Sequence, residues 1–422
     1  MSLLSLAKAS ADEAESYFSD FSTLTVEYAH GCFREKKFSH EKGHGLRAIK
    51  DSRLGFSYCN SEDEFQKTVD AALRSAALSP EVKYSFPPAQ KYEYMKTKSW
   101  DIANLDEKFA MDCAQQAVDG ILENAEPTRV SLSFSFGKEE IENTNGLSAS
   151  MDGSFCSIYT EAKKGNLFGF SFYSSAFLPK DFKKLGEEAS VMAKEMEGAK
   201  SLPTGKYEVC FSPYCLSQLV EFFMFHLSSE NKRRGVSKLS EKQGEKILSE
   251  KLSIKDSLKA NAANLWPFDA EGVAAKEISL IRNGVLEDFL FDTYTAARLG
   301  SWRDGNCARA DYSSLPTPAQ SNTIIEKGDY PGHAAAHYLQ IESFHGMHTS
   351  NSISGDFGVE VDIAFFVKDK GEKFPVTNLL LTGNIFNLFS SISKVGDAQS
   401  TWNDLIAPKI WFKDVQVVGS KG

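Results

Sequence analysis

Between residues 1 and 20 the apolar positions Ala7, Ala11, Ala14 and Phe18 recur at helical spacing and predict an N-terminal helix. The period then shortens. Leu24-Thr25-Val26-Glu27-Tyr28 alternates with β-branched and aromatic residues, as a half-buried strand does. Stretches from Gly43 to Lys50 and from Leu54 to Tyr58 flank the polar Asp51-Ser52-Arg53, so two strands around a turn are expected. Ser61 with Glu64 has the form of a capping box, opening a helix to about Leu78. Pro80, Pro87 and Pro88 mark a connector, and another helix spans about Leu105 to Glu123. Four strand-like stretches follow, from Val130 to Phe136, Glu139 to Asn143, Ser154 to Glu161 and Phe168 to Ser174. Asn145-Gly146 is a hairpin signal between the second and third. A charged helix from about Lys180 to Lys200 closes this half. The order predicts an α+β layer with a mostly antiparallel sheet.

Leu202-Pro203-Thr204-Gly205 is the best boundary, giving an N-terminal α+β domain over 1–202 and a C-terminal domain over 203–422. The second begins with a strand from Tyr207 to Phe211 and a helix from about Pro213 to Leu227. Ser228 to Glu245 holds eight charged residues and predicts an exposed loop or helix end. From Ile278 onward short strands are separated by turns such as Asn283-Gly284 and Ser354-Gly355-Asp356, which predicts a β-rich, barrel-like domain.

Composition narrows the classes. The 422 residues are 42% hydrophobic, enough for two or three domains with cores. The net charge of −10 disfavours nucleic acid and anionic membranes as partners. No apolar run approaches the ~18 residues of a membrane span, and no secretory signal is visible. Seven cysteines at irregular spacing, with no CxxC, fit free thiols in a reducing compartment, so a cytoplasmic location is expected.

Three groups of segments in the second half carry a family likeness. The first is Phe268-Asp269-Ala270-Glu271-Gly272-Val273, with Ile281-Arg282-Asn283-Gly284-Val285-Leu286 and Tyr294-Thr295-Ala296-Ala297-Arg298-Leu299-Gly300. The second is Pro316-Thr317-Pro318 with Asn322-Thr323. The third is Ser354-Gly355-Asp356-Phe357 with Leu381-Thr382-Gly383-Asn384-Ile385-Phe386. Gly45-Leu46-Arg47 and Asn143-Thr144-Asn145-Gly146 add to them. By the order and spacing of these segments the chain resembles the TldD/PmbA family, once labelled modulators of DNA gyrase.

The resemblance implies one of two branches. The TldD branch carries His-Glu-x-x-x-His on a helix plus a cysteine near the C-terminus, a zinc site in which the Glu is general base. Here Val220 and Phe225 stand at the two histidine positions and Glu221 at the base position, and no cysteine follows Cys307. The likeness is therefore to the PmbA/TldE branch. It implies no cofactor in this chain, zinc in a TldD-like partner subunit, and peptides or unfolded proteins as substrates. Asp356, Asn322 and Asn384 are candidates for a substrate groove, although a turn explains Asp356 as simply. The apolar run from Leu219 to Phe225 reads as a buried helix.

Two other functions compete with a non-catalytic subunit. One is a self-associating binding or regulatory protein of the same fold, a homodimer in isolation. The other is a metal hydrolase using His333, His337, His345 and His348, whose spacings would suit a metal on a helix. Against it, Tyr338 to Phe344 alternates as a strand does, and no acid adjoins His333 or His337. His40 and His44 repeat the spacing beside glycines that argue against a helix. His226 at a helix end and Lys232-Arg233-Arg234 read as capping and solvated positions. There is no Walker A, Rossmann fingerprint or Gly-x-Ser-x-Gly.

Overall fold

The computed structural model describes residues 1–301, 303, 305–331, 337–368 and 371–419. The first sheet has six antiparallel strands: β1 (Glu13–Ala29), β2 (Cys32–Lys50), β3 (Arg53–Cys59), β4 (Glu126–Asn143), β5 (Ser148–Lys164) and β6 (Leu167–Ser175). Their order is β3-β2-β1-β4-β5-β6. The expected N-terminal helix is only α1 (Leu3–Ala7), and the chain is already in β1 from Glu13. The reason is that β1 is covered on both faces. Ala14 and Val26 pack under helices, whereas Glu15 and Tyr17 are buried on the other side. A strand buried on both faces loses the polar alternation that would have revealed it.

Two stretches expected as separate strands, around Phe134 and around Ile141, are one strand, β4. Gly137 between them is not a break. A Cβ there would lie 2.2 Å from the Asp20 carbonyl of β1, so only glycine lets the neighbouring backbone pass.

The long strands serve two layers. Val130, Leu132 and Phe134 face α3 (Glu107–Leu122) and α4 (Phe182–Glu195). Farther along β4, Glu139 and Ile141 have the opposite parity and turn to the C-terminal domain. At the far end Leu46 and Ala48 pack on α1 and α2 (Phe65–Leu78). The helices are capped as their sequences suggest. Asp106 accepts from the Phe109 amide at 2.8 Å and Asp181 from the Lys184 amide at 3.0 Å.

The second sheet begins with β7 (Gly205–Phe211) and closes into a barrel. Its ring also contains β11 (Tyr338–His345), β12 (Asp356–Val367), β13 (Leu379–Asn384) and β15 (Leu405–Val418). β15 pairs with β13 through Leu381↔Val417 and with β7 through Trp411↔Cys210, which closes the ring. A register shift between Phe412 and Val415, with Asp414 at φ +57°, bends β15 so that it reaches both partners. β8 (Ile254–Ser257), β9 (Glu277–Arg282), β10 (Thr323–Ile325) and β14 (Ile392–Trp402) extend the sheet from β15. This α+β architecture, an antiparallel N-terminal sheet and a closed C-terminal barrel, is the fold class that the hydrophobic pattern predicts. Among the described residues no helix is long and apolar enough to cross a membrane.

Candidate functional site

Helix α5 (Pro213–Met224) leaves β7 through a built start. Ser212 caps it, its hydroxyl accepting from the Cys215 amide at 3.2 Å, and Pro213 supplies a pre-set φ in the first turn. Leu216, Leu219, Val220, Phe223 and Met224 then enter the core that the barrel strands share. Val220 is 2% exposed and Phe223 is fully buried. Phe225 opens a 3-10 turn and is half-buried. Glu221 is on the exposed side, where partial desolvation and then Asp404 raise its carboxyl above the ordinary range. Hydrocarbon at 220 and a phenyl ring at 225 offer no lone pair, so these positions do not fit a zinc ion.

Beyond α5, His226 is fully buried. Its Nδ1 accepts from the Lys238 amide at 3.2 Å and its ring lies 4.8 Å from that of Phe386. Burial pushes its pKa down to about 4, which keeps the imidazole neutral. Phe386 belongs to α7 (Ile385–Ser390), and this brings two of the predicted groove residues near the end of α5. Asn384 caps α7, accepting from the Phe386 amide at 3.1 Å, and donates to Asp356 at 2.8 Å. Asp356 is exposed. Asn322 is elsewhere. Fully buried, it donates to the carbonyls of Ser257 and Asn264 at 3.0 and 2.7 Å and accepts from the Asn264 amide at 3.0 Å. Its work is to hold the 257–264 loop.

The four clustered histidines are not brought together as a site among the described residues. His333 lies outside the described residues. His337 is exposed with φ +59°, His345 is exposed at the end of β11, and His348 is exposed in a 3-10 turn. The Nδ1 of His345 is 2.7 Å from Asp362.

The most highly charged buried region lies between the two domains. Arg47 donates from Nε and Nη2 to the two oxygens of Glu15, at 2.8 and 2.6 Å, and from Nη1 to Glu271 at 2.6 Å. Glu15 also accepts from Arg309 at 2.5 Å. Glu271 accepts from both the amide and the hydroxyl of Thr293 at 2.7 Å, at the start of α6 (Thr293–Arg298). Arg47 holds Glu271 below the usual carboxylate range despite its burial. Asp269 stays close by, and its Oδ1 accepts from the amides of Glu271 and Val273. Gly272 sits in this turn at φ +74°, with Leu147 packed on it. Burial and then Glu271 push Asp269 up to about 7.

Asp269, Glu271 and Cys307 have potential ligand atoms within 4.8 Å of one another. Their capacity is already used. Cys307 donates to Asp269 at 3.3 Å, and Glu271 is committed to Arg47 and Thr293. Burial and the surrounding carboxylates drive the Cys307 thiol far up, and its proton is shared with Asp269.

Above this network an open cavity of about 210 Å³ separates the sheet from the second domain, with Tyr17 and Glu139 on one wall and Trp266, Phe268 and Arg309 opposite. Profiles of known families match the whole architecture. The PmbA/TldA metallopeptidase C-terminal domain matches residues 204–419, domain 1 matches 14–76, and the central domain matches 98–197. The chain belongs to the PmbA/TldD metallopeptidase family. A metalloprotease of Methanothermobacter thermautotrophicus is 23% identical, over 89% of this chain and 86% of its own. A crystal structure from Thermotoga maritima, described as a candidate modulator of a DNA gyrase, has a TM-score of 0.89 at 26% identity. It covers 99% of this chain and 98% of that one. TldE from Thermococcus kodakarensis shares the fold with a TM-score of 0.88 at 22% identity, covering 99% of each chain.

Segments that carry the family likeness meet in the fold although they are far apart in the chain. Gly45-Leu46-Arg47 and Phe268 to Val273 are joined by the Arg47–Glu271 ion pair across 224 residues of chain. Sequence reasoning picked out both segments but not Glu15, Glu139, Arg309 or Tyr84, whose hydroxyl donates to Glu271 at 3.4 Å. The one available signal was charge inside strands: Glu15 and Arg47 interrupt otherwise buried stretches of β1 and β2.

Proposed function

We propose that this chain is the zinc-free, TldE/PmbA-like subunit of a TldD-type metalloprotease assembly acting on peptides or unfolded proteins. The carrying observation is the chemistry of α5. At the positions where the family's catalytic branch places histidines stand Val220, sealed in the barrel core, and the phenyl ring of Phe225. Glu221 keeps the general-base position but has no ligand pair beside it to hold a zinc-bound water. Zinc and the catalytic carboxylate then belong to the partner, and this chain completes the chamber that holds substrate. The free thiols of all seven cysteines support a reducing, cytoplasmic setting.

The test is reconstitution with a purified TldD-like subunit. The isolated chain is expected to carry no stoichiometric zinc and to leave an unfolded protein intact, while the mixture cleaves it. Glu221→Gln in this chain should leave the rate of the assembly nearly unchanged. Cleavage by the isolated chain would refute the proposal. So would loss of activity in an assembled Glu221→Gln complex.

A further inference from the structure

The cavity between the domains has a composition that the subunit role does not explain. At about 210 Å³ it is smaller than the roughly 300–1,000 Å³ of sites for whole drug-sized ligands, so it suits one long side chain. Its walls include the rings of Tyr17, Trp266 and Phe268. Phe268 also borders a second groove of about 560 Å³, lined by Tyr94, Trp100 and Met151, so a chain seated in one can continue past it into the other.

The charge is one-sided. Among the described residues Arg309 is the only cation on the cavity wall, and it is already engaged. It donates to Glu15 at 2.5 Å and to the Ala270 carbonyl at 3.0 Å, and it lies 4.7 Å from the Tyr17 ring. Glu139 makes no ion pair among the described residues, and Asp269 also lines the wall. Burial raises the carboxyl of Glu139, and a hydrogen bond with the Tyr17 phenol and then the charge of Arg309 only partly oppose the shift. Glu139 belongs to no group of side chains placed to share a metal ion among the described residues. A carboxylate on the wall of an aromatic cavity favours an organic cation, because the ring faces attract the charge and the stem buries against them.

We propose that this cavity is a subsite for an organic cation on an apolar stem, the guanidinium or ammonium group of a peptide. The cation preference stands on the cavity alone. That a peptide carries it rests on the proposed function. Glu139 pairs with the charge, and Trp266 and Phe268 flank the stem. The partner subunit is not needed for binding, so the two proposals fail separately.

The experiment is isothermal titration of the isolated full chain with acetyl-arginine amide, acetyl-lysine amide, neutral acetyl-citrulline amide, and alanyl-alanine amide, which offers only a terminal amine. The arginine or lysine compound is expected to bind, with citrulline weaker by roughly tenfold or more. Binding by alanyl-alanine amide instead would assign the cation to the peptide N-terminus and still support the subsite. Glu139→Gln should weaken cation binding by about tenfold, and Trp266→Ala should weaken it too. Glu139→Gln should melt no lower than the wild type, since it removes a half-buried acid that makes no ion pair among the described residues. Absence of binding by every cation, equal binding of arginine and citrulline, or undiminished binding by a folded Glu139→Gln variant would each overturn the proposal.

Discussion

Replacing Arg47 by methionine tests whether buried charge fastens the two domains. The Arg47 side chain is 1% exposed, and its three charge-assisted hydrogen bonds run to Glu15 and Glu271, whose side chains are fully buried. After the change Glu15 keeps Arg309, but Glu271 loses its one guanidinium and retains only neutral donors from Thr293 and Tyr84. Methionine restores part of the packing that the guanidinium makes 5.0 Å from the Phe86 ring. The remainder is one uncompensated buried carboxylate, a loss of about 3–5 kcal/mol. The loss depends on pH. In the wild type Glu271 sits below its ordinary pKa, so its contribution is present above the usual carboxylate range and fades in acid. In the variant its folded pKa rises, and the deficit is largest above that raised value and shrinks as Glu271 takes up a proton. Urea unfolding followed by circular dichroism at pH 8 and pH 5 should show a clearly larger gap at pH 8. Adding Glu271→Gln to Arg47→Met should recover about 1–2 kcal/mol relative to additivity. A loss under about 1 kcal/mol at pH 8, an equal gap at both pH values, or strict additivity would refute the ion-pair account.

Phe223→Ala should cost about 3–5 kcal/mol because the ring is fully buried, whereas half-buried Phe225→Ala should cost about half as much; differential thermal unfolding ranks the two. Val220→His with Phe225→His should lower the melting temperature without creating a tight zinc site, because position 220 is closed by core packing and the C-terminal cysteine of the zinc-binding branch has no counterpart after Cys307; elemental analysis and thermal melts check both halves. His226 has its folded pKa depressed to about 4, so its contribution is present above the unfolded value near 6.5 and is lost as pH falls through that interval. Wild-type stability should therefore drop by on the order of 2–3 kcal/mol between pH 7 and pH 4 from this group, and His226→Gln should flatten that part of the curve.

The amino-acid pattern settled what is local. The cap at Ser61, the Asn145-Gly146 turn and the apolar stripe of α5 all act within a few residues of chain, so they are legible in order along it. The absence of ligand atoms at Val220 and Phe225 was likewise a property of residue type and needed no coordinates. Other features depend on what lies across the molecule. β1 was hidden because a second domain covers its outer face, and Gly137 looked like a break because the passing strand at Asp20 was unseen. The ion network joins positions 15, 47, 271 and 309, and the cavity beside it exists only where β4 turns Glu139 toward Trp266. A charge in a strand reads as surface until its partner is placed. Only the tertiary fold brings Glu271 to Arg47, and only the fold turns Glu139 into a partly desolvated cavity wall, because pairing and desolvation are set by distance in space and not by separation along the chain.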